Sequence, residues 1–444
     1  MSPPPVISTD LVVRDDLENF IGDLRPFMAR IVAGETSLPF WIPNGMVMSE
    51  EFAAHMEAIQ IPSLNGKPSV LLHGLGSFKR EAALAARLKN IFMPNHHTCV
   101  GIRLPSPFIR LTGLSFLVNT SGSGKTRLLL EGLCDHWGFY FTSLVDSSLL
   151  GSSDVQNSIR FYIPESPDFR ATLPPVDSPD HKIALQTNRD HASRIFSRLF
   201  LARLFILDLF VQIMKELRFS EPGEFRAAVY RKRWLLLQLQ PSLLHPQIWD
   251  IFDELVDKLS PASESYVNGT TKTLLIRIRK RLTEMPDSRQ HRPSDTQTPM
   301  FCVLDEAQYA ATQHFNAFKS DTGNAPRPIL REIVKAWERQ SSGHGIFMVV
   351  AGTGISKDIV DQAMASAIMK ESKYRWCSDT GAFDDLDEQR RYVEKYLPPS
   401  LLSSNSGMRL IRRIGYWLRG RSDLSLSIRI ESLVITRVYT YPLR

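Results

Sequence analysis

Short apolar runs, each ending in a turn or a polar cluster, recur along the central part of the chain. Four of them predict β-strands, at 114–118 (LSFLV), 138–145 (GFYFTSLV), 301–304 (FCVL) and 345–351 (GIFMVVA). Continuous apolar runs of this length are typical of strands that are buried on both faces of a parallel sheet. Helical patterns lie between them, so the sequence predicts an α/β fold with helices flanking a parallel sheet.

A long helical segment separates the second of these strands from the third. Residues 183–284 follow a helical pattern that is interrupted near Pro222, Pro241 and Pro261. The most apolar part, 199–214, contains charged residues and is too short to span a bilayer, so it predicts a core helix. We interpret 183–284 as a large all-α insertion between the second and third strands.

The two ends of the chain differ from this central pattern. Residues 1–65 predict helices at 17–32 and 50–59, and we interpret them as an N-terminal helical segment. Residues 66–421 form the predicted α/β domain, and the alternating pattern of 422–444 has no partner strand, so we interpret it as an irregular, non-native tail. Within the domain the pattern also predicts a strand and turn at 70–76, an inserted segment at 99–115, a loop at 146–182, and helices at 80–92, 127–133, 328–340, 356–371, 387–397 and 407–419.

The composition is that of an ordinary globular protein. The chain has 444 residues, of which 43% are hydrophobic and 23% are charged. That length suits two or three domains of about 150 residues each. The formal net charge of +6 permits binding to polyanions but does not require it.

Cysteine spacing and the N-terminal pattern bear on the compartment. The four cysteines, at 99, 134, 302 and 377, form no CxxC pair, so neither a zinc site nor a disulfide framework is predicted. The first residues lack the basic and then apolar order of a signal peptide. We therefore predict an intracellular protein, in the cytoplasm or nucleus, with no membrane-spanning segment.

The most informative motif is NTSGSGKT at 119–126. It matches the phosphate-binding pattern G-x-x-x-x-G-K-[ST] except that Asn119 replaces the first glycine, and asparagine tolerates positive φ better than most residues. Lys125 would neutralise phosphate charge and act as a catalytic residue, while Thr126 would hold Mg²⁺. The predicted nucleotide contacts are Thr120, Ser121, Gly122, Ser123, Gly124, Lys125, Thr126 and Arg127. A Ser/Gly turn before a helix is the alternative interpretation.

Two further strand ends carry polar residues of the types that bind Mg²⁺ and activate water at nucleotide sites. Asp305 and Glu306 follow the strand at 301–304, at the edge of a sheet where ligands bind in open α/β folds. We predict that Asp305 contacts Mg²⁺, directly or through water, and that Glu306 is the general base for an attacking water. Thr353, after the last strand, is predicted to sense the γ-phosphate. The alternatives are an acidic helix start after Asp305 and a strand that leaves through a Gly-rich turn at Thr353.

Other classes of P-loop protein fit less well. A superfamily 2 helicase requires a second lobe with an arginine motif, which does not follow Asp305, and a small GTPase requires an NKxD motif. An AAA-like or STAND-like NTPase lobe remains. Its arginine finger would come from a later helix or from a neighbouring subunit, which makes oligomerisation an option. The candidates for that arginine are Arg390, Arg391, Arg412 and Arg413.

Five stretches together resemble a known group of proteins: NTSGSGKTRLLLEGL, WGFYFT, FCVLDEAQYA, VVAGTGIS and RRIGYWLRGR. They resemble P-loop NTPases of mushroom-forming fungi, which are similar to the NTPase modules of Crinkler and retrotransposon-hot-spot proteins. The resemblance covers roughly 66–421 and implies an intracellular fungal ATPase of AAA/STAND type.

Together, the motifs and the resemblance predict a regulatory NTPase that binds ATP and Mg²⁺ and hydrolyses ATP. Two alternatives stay open. One is a nucleotide-binding switch or interaction protein with little turnover. The other is a nucleic-acid-dependent ATPase, for which the basic clusters 231–233 and 277–281 are the motivation.

Overall fold

The computed structural model describes residues 9–42, 50–78, 81–93, 113–146, 149–220, 227–285, 299–320, 325–364, 374–381 and 386–417. The predicted tail at 422–444, the break near Pro222 and most of the predicted insertion at 99–115 lie outside these residues. The chain divides into two compact units. The first comprises Met1–Thr36, Ile91–Leu117 and Leu133–Trp376, and the second comprises Ser37–Asn90, Val118–Gly132 and Cys377–Arg444. The predicted N-terminal segment 1–65 contributes to both.

The strands include the four that the apolar runs predict. They are β1 (Ser63–Leu64), β2 (Lys67–Pro68), β3 (Leu114–Asn119), β4 (Trp137–Thr142), β5 (Met300–Asp305), β6 (Ile346–Thr353) and β7 (Arg375–Cys377). β3 to β7 form a five-stranded parallel sheet in the order β4-β5-β6-β3-β7. The sheet belongs to the first unit, apart from the last residues of β3 and β7. The predicted α/β class is thus confirmed, with β7 as a strand that the sequence pattern did not predict.

Strand pairing at the centre of the sheet follows directly from the apolar runs. β4 pairs with β5 in parallel register, Tyr140 opposite Val303 and Thr142 opposite Asp305, and β5 pairs with β6 in the same way. Every residue of β4 and β5 is buried. Burial on both faces explains why these strands read as unbroken apolar segments and not as alternating ones.

Most helices follow the predicted positions. The helices are α1 (Thr9–Ala33), α2 (Glu50–Ile59), α3 (Ala82–Ile91), α4 (Lys125–Asp135), α5 (Asp154–Asn157), α6 (Asp180–Ser220), α7 (Ala227–Leu239), α8 (Ile251–Lys258), α9 (Glu264–Thr283), α10 (Ala307–Thr312), α11 (Ile329–Ser341), α12 (Lys357–Met364), α13 (Leu386–Glu394), α14 (Pro399–Ser403) and α15 (Asn405–Trp417). Of these, α5, α10 and α14 are short helices that the pattern did not predict. The predicted loop at 146–182 contains α5 and a π-helical turn at Ser158–Tyr162, because Val155 and Ile159 are drawn into the core.

The large helical region lies where the sequence predicts it. α6 is 41 residues long and packs against α1, α9 and α11, while α7 packs against β4. The chain breaks at Pro241, which begins a short 3-10 helix, and at Pro261, between α8 and α9. Within the described part of the chain, none of the helices combines the length and the apolar character needed to cross a bilayer.

The second unit has its own small core and corrects one predicted strand. The residues at 70–76 form turns and not a strand. The extended pair lies just upstream, where β1 and β2 form a hairpin around Asn65 and Gly66, both at positive φ. Asn-Gly is the preferred two-residue hairpin turn, so this signal was present in the sequence. The buried residues of this core are Trp41, Phe52, Met56, Ile61, Val70, Val393, Tyr396 and Leu397.

A fully buried ion pair joins four elements of the first unit. The guanidinium of Arg203 on α6 lies 2.9 Å from Asp154 on α5, and neither side chain is exposed. The same guanidinium lies 3.5 Å from the ring centre of Phe252 on α8 and 4.7 Å from that of Phe141 on β4. None of its nitrogens has an aligned hydrogen-bond acceptor among the described residues. The charge is therefore stabilised by one carboxylate and two aromatic faces.

We expect Asp154→Asn to reduce the free energy of unfolding by about 3–5 kcal/mol at pH 8, because it leaves the buried Arg203 charge without a counter-ion. Burial raises the pKa of Asp154 to about 6 against the attraction of Arg203, so the carboxylate is ionised at pH 8. The measurement is equilibrium unfolding in urea. Glu284→Gln, which removes the partner of Lys215 in an exposed ion pair, is the control and should leave the urea midpoint nearly unchanged, because solvent screens an exposed pair. Equal losses for the two variants would contradict a special role for the buried pair.

Candidate functional site

The predicted phosphate-binding motif lies between a strand and a helix. β3 ends at Asn119 and α4 begins at Lys125, so the intervening residues form the turn that the motif requires. Gly122 and Gly124 have φ values of 75° and 86°, which other residues adopt only with strain. A turn that alternates such residues with ordinary ones directs backbone N–H groups toward one concave side, where an anion can be held.

Lys125 is already fixed within this loop. Its side chain is 5% exposed, and the Nζ donates to the backbone carbonyls of Asn119 (3.2 Å) and Thr120 (2.7 Å). An ammonium group has three N–H donors, and the two contacts hold it at the loop and not in solvent. The chain thus places a buried cation in the position that the sequence assigned to phosphate neutralisation.

A second buried group in the loop has no partner. Ser123 is 4% exposed, and its Oγ makes no hydrogen bond to any described residue. Buried hydroxyls almost always have a partner, so this one fits an acceptor or donor supplied by a ligand. Thr120 and Ser121 are exposed, and Thr126 is half-buried in the first turn of α4. The loop residues therefore fit a phosphate group on structural grounds.

Asn119 has a role that differs from the predicted one. It does not adopt positive φ but ends β3 in an extended conformation. Its Oδ1 accepts the N–H of Thr120 (2.7 Å), and its Nδ2 donates to the carbonyl of Ser378 and to Oγ1 of Thr380. The side chain therefore anchors the start of the loop to 378–380, which a glycine would not do.

Arg127, which the sequence predicts to contact the nucleotide, uses its guanidinium for contacts within the second unit. It donates to the carbonyls of Leu71 and His73 (both 2.8 Å) and of Gly74 (3.1 Å), and its Nε and Nη2 pair with Glu131 (3.0 and 2.7 Å). Glu131 is 1% exposed and also accepts the N–H groups of Gly76 and Phe78. We call Arg127 and Glu131 the α4 clamp. Its sequence signal was the Arg-Glu spacing of four residues on a helix.

The acidic strand end lies in the first unit and is tightly bonded. Asp305 is 1% exposed, and its two carboxylate oxygens accept the Tyr140 hydroxyl (3.1 Å) and the N–H of Glu306 (2.9 Å). Burial, and then the charge of Asp305, hold the pKa of Tyr140 well above its ordinary value, so Tyr140 remains a hydrogen-bond donor. The sequence did not single out Tyr140, because its neighbour on the sheet is distant in the chain.

Glu306 is held in a strained conformation by a glutamine that the sequence motif contains. Its φ and ψ of 52° and 32° are left-handed, which is uncommon for glutamate. The Gln308 amide donates to the Glu306 carboxylate, and its Oε1 accepts the N–H of Thr353 (2.9 Å). Gly352 permits this approach, because a Cβ there would lie 2.9 Å from the Gln308 oxygen. Glu306 and the predicted sensor Thr353 are therefore linked through Gln308, with Thr353 taking part through its backbone.

The other predicted cations have protein partners or lie on open surface. Arg390 pairs with Glu394 on α13, Arg391 donates to the carbonyl of Asp387, and Arg412 and Arg413 are exposed on α15. These contacts single out no arginine finger.

The two basic clusters are used for packing within the first unit. Arg231 and Arg233 donate to backbone carbonyls of Cys134 and Val32. Arg277 and Arg281 both pair with Asp208 of α6, at 2.7 and 2.6 Å. These four arginines therefore have contacts within the fold, which favours a structural role over nucleic-acid binding for them.

No group of His, Cys, Asp and Glu with the arrangement of a metal site occurs among the residues that the structure describes. No family model, curated protein or solved structure matches this chain. The resemblance to fungal P-loop NTPases therefore stays a prediction from the motifs.

We expect Arg127→Met to lower the free energy of unfolding of the second unit by about 3–5 kcal/mol, because Glu131 is then left buried without its cation. The double variant Arg127→Met/Glu131→Gln should recover part of this loss, since no unpaired buried charge remains. Urea unfolding of both variants provides the measurement. If Arg127 instead bound nucleotide, the single variant would lower nucleotide affinity at unchanged stability.

Proposed function

We propose that the chain is an ATPase of regulatory type that binds ATP with Mg²⁺ at the loop 119–126. The observation that carries the proposal is the buried ammonium of Lys125, held by the carbonyls of Asn119 and Thr120 within a turn that contains two left-handed glycines. A buried cation beside backbone N–H donors is suited to a polyphosphate, which presents several anionic oxygens.

The helix that follows the loop adds to this preference for an anion. α4 starts at Lys125, so its first N–H groups and the positive end of its dipole face the loop. The unpartnered Oγ of Ser123 supplies a further polar contact. The α4 clamp holds the first two turns of the helix against 71–78, so the loop has a fixed frame on its C-terminal side.

Thr126 and Asp305 are the residues that would hold Mg²⁺. A threonine hydroxyl and a carboxylate are oxygen donors of the type that Mg²⁺ prefers. When bound, Mg²⁺ neutralises negative charge that develops on the phosphate oxygens. The support for Asp305 is its place at the carboxyl end of the buried strand β5, the edge at which ligands bind in open α/β sheets.

Glu306 is assigned the role of general base. Its carboxylate is oriented by the Gln308 amide, and Gln308 is itself fixed by the N–H of Thr353. Orientation by a fixed amide favours transfer of a proton from one defined water position. The absence of an NKxD motif from the sequence favours ATP over GTP.

A second candidate function is a nucleotide switch with little turnover. The same Gln308 contact favours it, because an amide that donates to Glu306 lowers the basicity of that carboxylate. The two functions share the loop and differ only in what Gln308 does to Glu306. They are therefore distinguished by the rate of hydrolysis and not by binding.

Two substitutions test the proposed ATPase. Lys125→Ala should weaken ATP binding by about tenfold or more, because the buried cation is lost. Glu306→Gln should leave binding unchanged and reduce hydrolysis by about 100-fold, in the range that loss of a general base produces. The measurements are calorimetric binding of ATP with Mg²⁺ and phosphate release. Lys67→Ala, an exposed lysine of the β1–β2 hairpin, is the control.

The outcome that contradicts the proposal is equal ATP affinity of the wild type, Lys125→Ala and Lys67→Ala. Strong ATP binding combined with negligible hydrolysis by the wild type would favour the switch.

Gln308→Ala separates the two functions. If Gln308 orients Glu306, kcat should fall by about tenfold, with no change in ATP affinity. Single-turnover hydrolysis and calorimetry measure the two quantities. Gln313→Ala is a matched control, because the side-chain amide of this half-buried glutamine donates to the neighbouring Thr312 hydroxyl and not to Glu306. A rise in turnover would show that Gln308 restrains the base, as the switch requires.

A further inference from the structure

A cavity of about 680 Å³ lies in the helical part of the first unit. It is bounded by 162–168, by α6 and by the end of α8, and it shares no residue with the loop 119–126 or with the acidic end of β5. Its volume is within the range of about 300–1,000 Å³ that small-molecule sites occupy. The proposed ATPase assigns no role to it.

Two arginines one helical turn apart line the cavity, of which Arg198 is half-buried and Arg194 is exposed. Arg194 and Arg198 lie on the same face of α6, beside the buried side chains of Ile195 and Val256. Arg198 donates through Nη2 to the carbonyl of Ala262 (3.2 Å), while its buried Nε has no hydrogen-bond partner among the described residues. Neither arginine has a carboxylate within 4.0 Å in the part of the chain that the structure describes.

The Arg198 guanidinium is poorly solvated. Burial, and then the like charge of Arg194, lower the pKa of Arg198 to about 10. Arginine remains charged at neutral pH even so, and two neighbouring guanidinium groups without a counter-ion repel each other. An oxyanion between them would relieve that repulsion and would accept the N–H of Nε.

Most of the charged side chains that line the cavity are carboxylates, which are negative. Glu165, Asp168 and Asp257 line the cavity and are exposed, and Asp190 lines it too while accepting a hydrogen bond from Gln186. Four carboxylates outnumber two guanidinium groups, so a simple anion would meet net repulsion on entry. A ligand with an anionic end and a cationic end matches both parts of the wall.

We propose that this cavity binds a small zwitterionic molecule, with its oxyanion at Arg194 and Arg198 and its ammonium group among Glu165, Asp168 and Asp257. The shared chemistry is a carboxylate or phosphate joined by a short chain to an amine. An amino acid and a phosphorylated amino alcohol both have this chemistry, and the buried Ile195 and Val256 suit the short chain between the charges.

The test is calorimetric titration of the full-length protein with phosphoethanolamine and with β-alanine. Inorganic phosphate and ethanolamine, the anionic and the cationic half of phosphoethanolamine, are titrated separately as controls. We expect saturable binding of at least one zwitterion, at least tenfold tighter than that of either half. Phosphoethanolamine and β-alanine distinguish a phosphate site from a carboxylate site, and binding of either supports the proposal.

Variants locate the binding. Arg198→Met keeps the apolar stem of the side chain and should weaken binding of the zwitterion by at least tenfold, and Arg194→Gln should do the same. Asp257→Asn should weaken binding of the zwitterion but leave binding of inorganic phosphate unchanged. Arg160→Gln, an exposed arginine stacked on Phe161, should have no effect. Circular dichroism checks that each variant is folded.

Three results would overturn the proposal. They are the absence of saturable binding of both zwitterions up to about 10 mM, binding as tight in Arg198→Met as in the wild type, and binding that Lys125→Ala removes while Arg198→Met retains it. The last result would place the anion at the loop 119–126. Because the cavity and the loop share no residue, failure of one proposal leaves the other intact.

Discussion

The arrangement of the first unit depends on one buried charge. Arg203 brings together α6, α5, β4 and α8, because its guanidinium requires both the Asp154 carboxylate and the faces of Phe141 and Phe252. Moving any of these partners away from the fully buried guanidinium is costly, because the charge would then be left unpaired in a medium of low polarity. This contact fixes the long helix α6 to β4 at Phe141, beside the aromatic contacts of Phe200 and Phe210 with the same strand.

The second unit uses the same principle at a smaller scale. Arg127 and Glu131 are both inside one helix, but their remaining hydrogen bonds go to the backbone of 71–78. That segment forms turns, whose carbonyls and N–H groups have no strand partners. The α4 clamp satisfies them and so fixes the helix that follows the candidate phosphate loop. Stability and the proposed function are therefore linked at α4.

Much of the candidate site was predictable, and the missing part has a physical explanation. The loop 119–126 and the acidic end of β5 are local patterns, so the strand, turn and helix around them were predicted correctly. Gln308 and Tyr140 were missed, because their roles depend on Thr353 and Asp305, which are 45 and 165 residues away. Arg127 was assigned to a ligand because three of its acceptors are backbone carbonyls of 71–74, which carry no side-chain signal in a sequence.

The sequence by itself determined four of the five strands of the parallel sheet, the helical insertion and the glycines of the loop, because each depends on hydrophobic period or on backbone freedom within a few residues. Only the tertiary structure decided the strand order, the hairpin β1–β2 in place of a strand at 70–76, and the partners of each buried charge. Partners that come from distant segments leave no period in the sequence. These partners pair because the folded arrangement must leave no buried charge or hydrogen-bonding group unsatisfied.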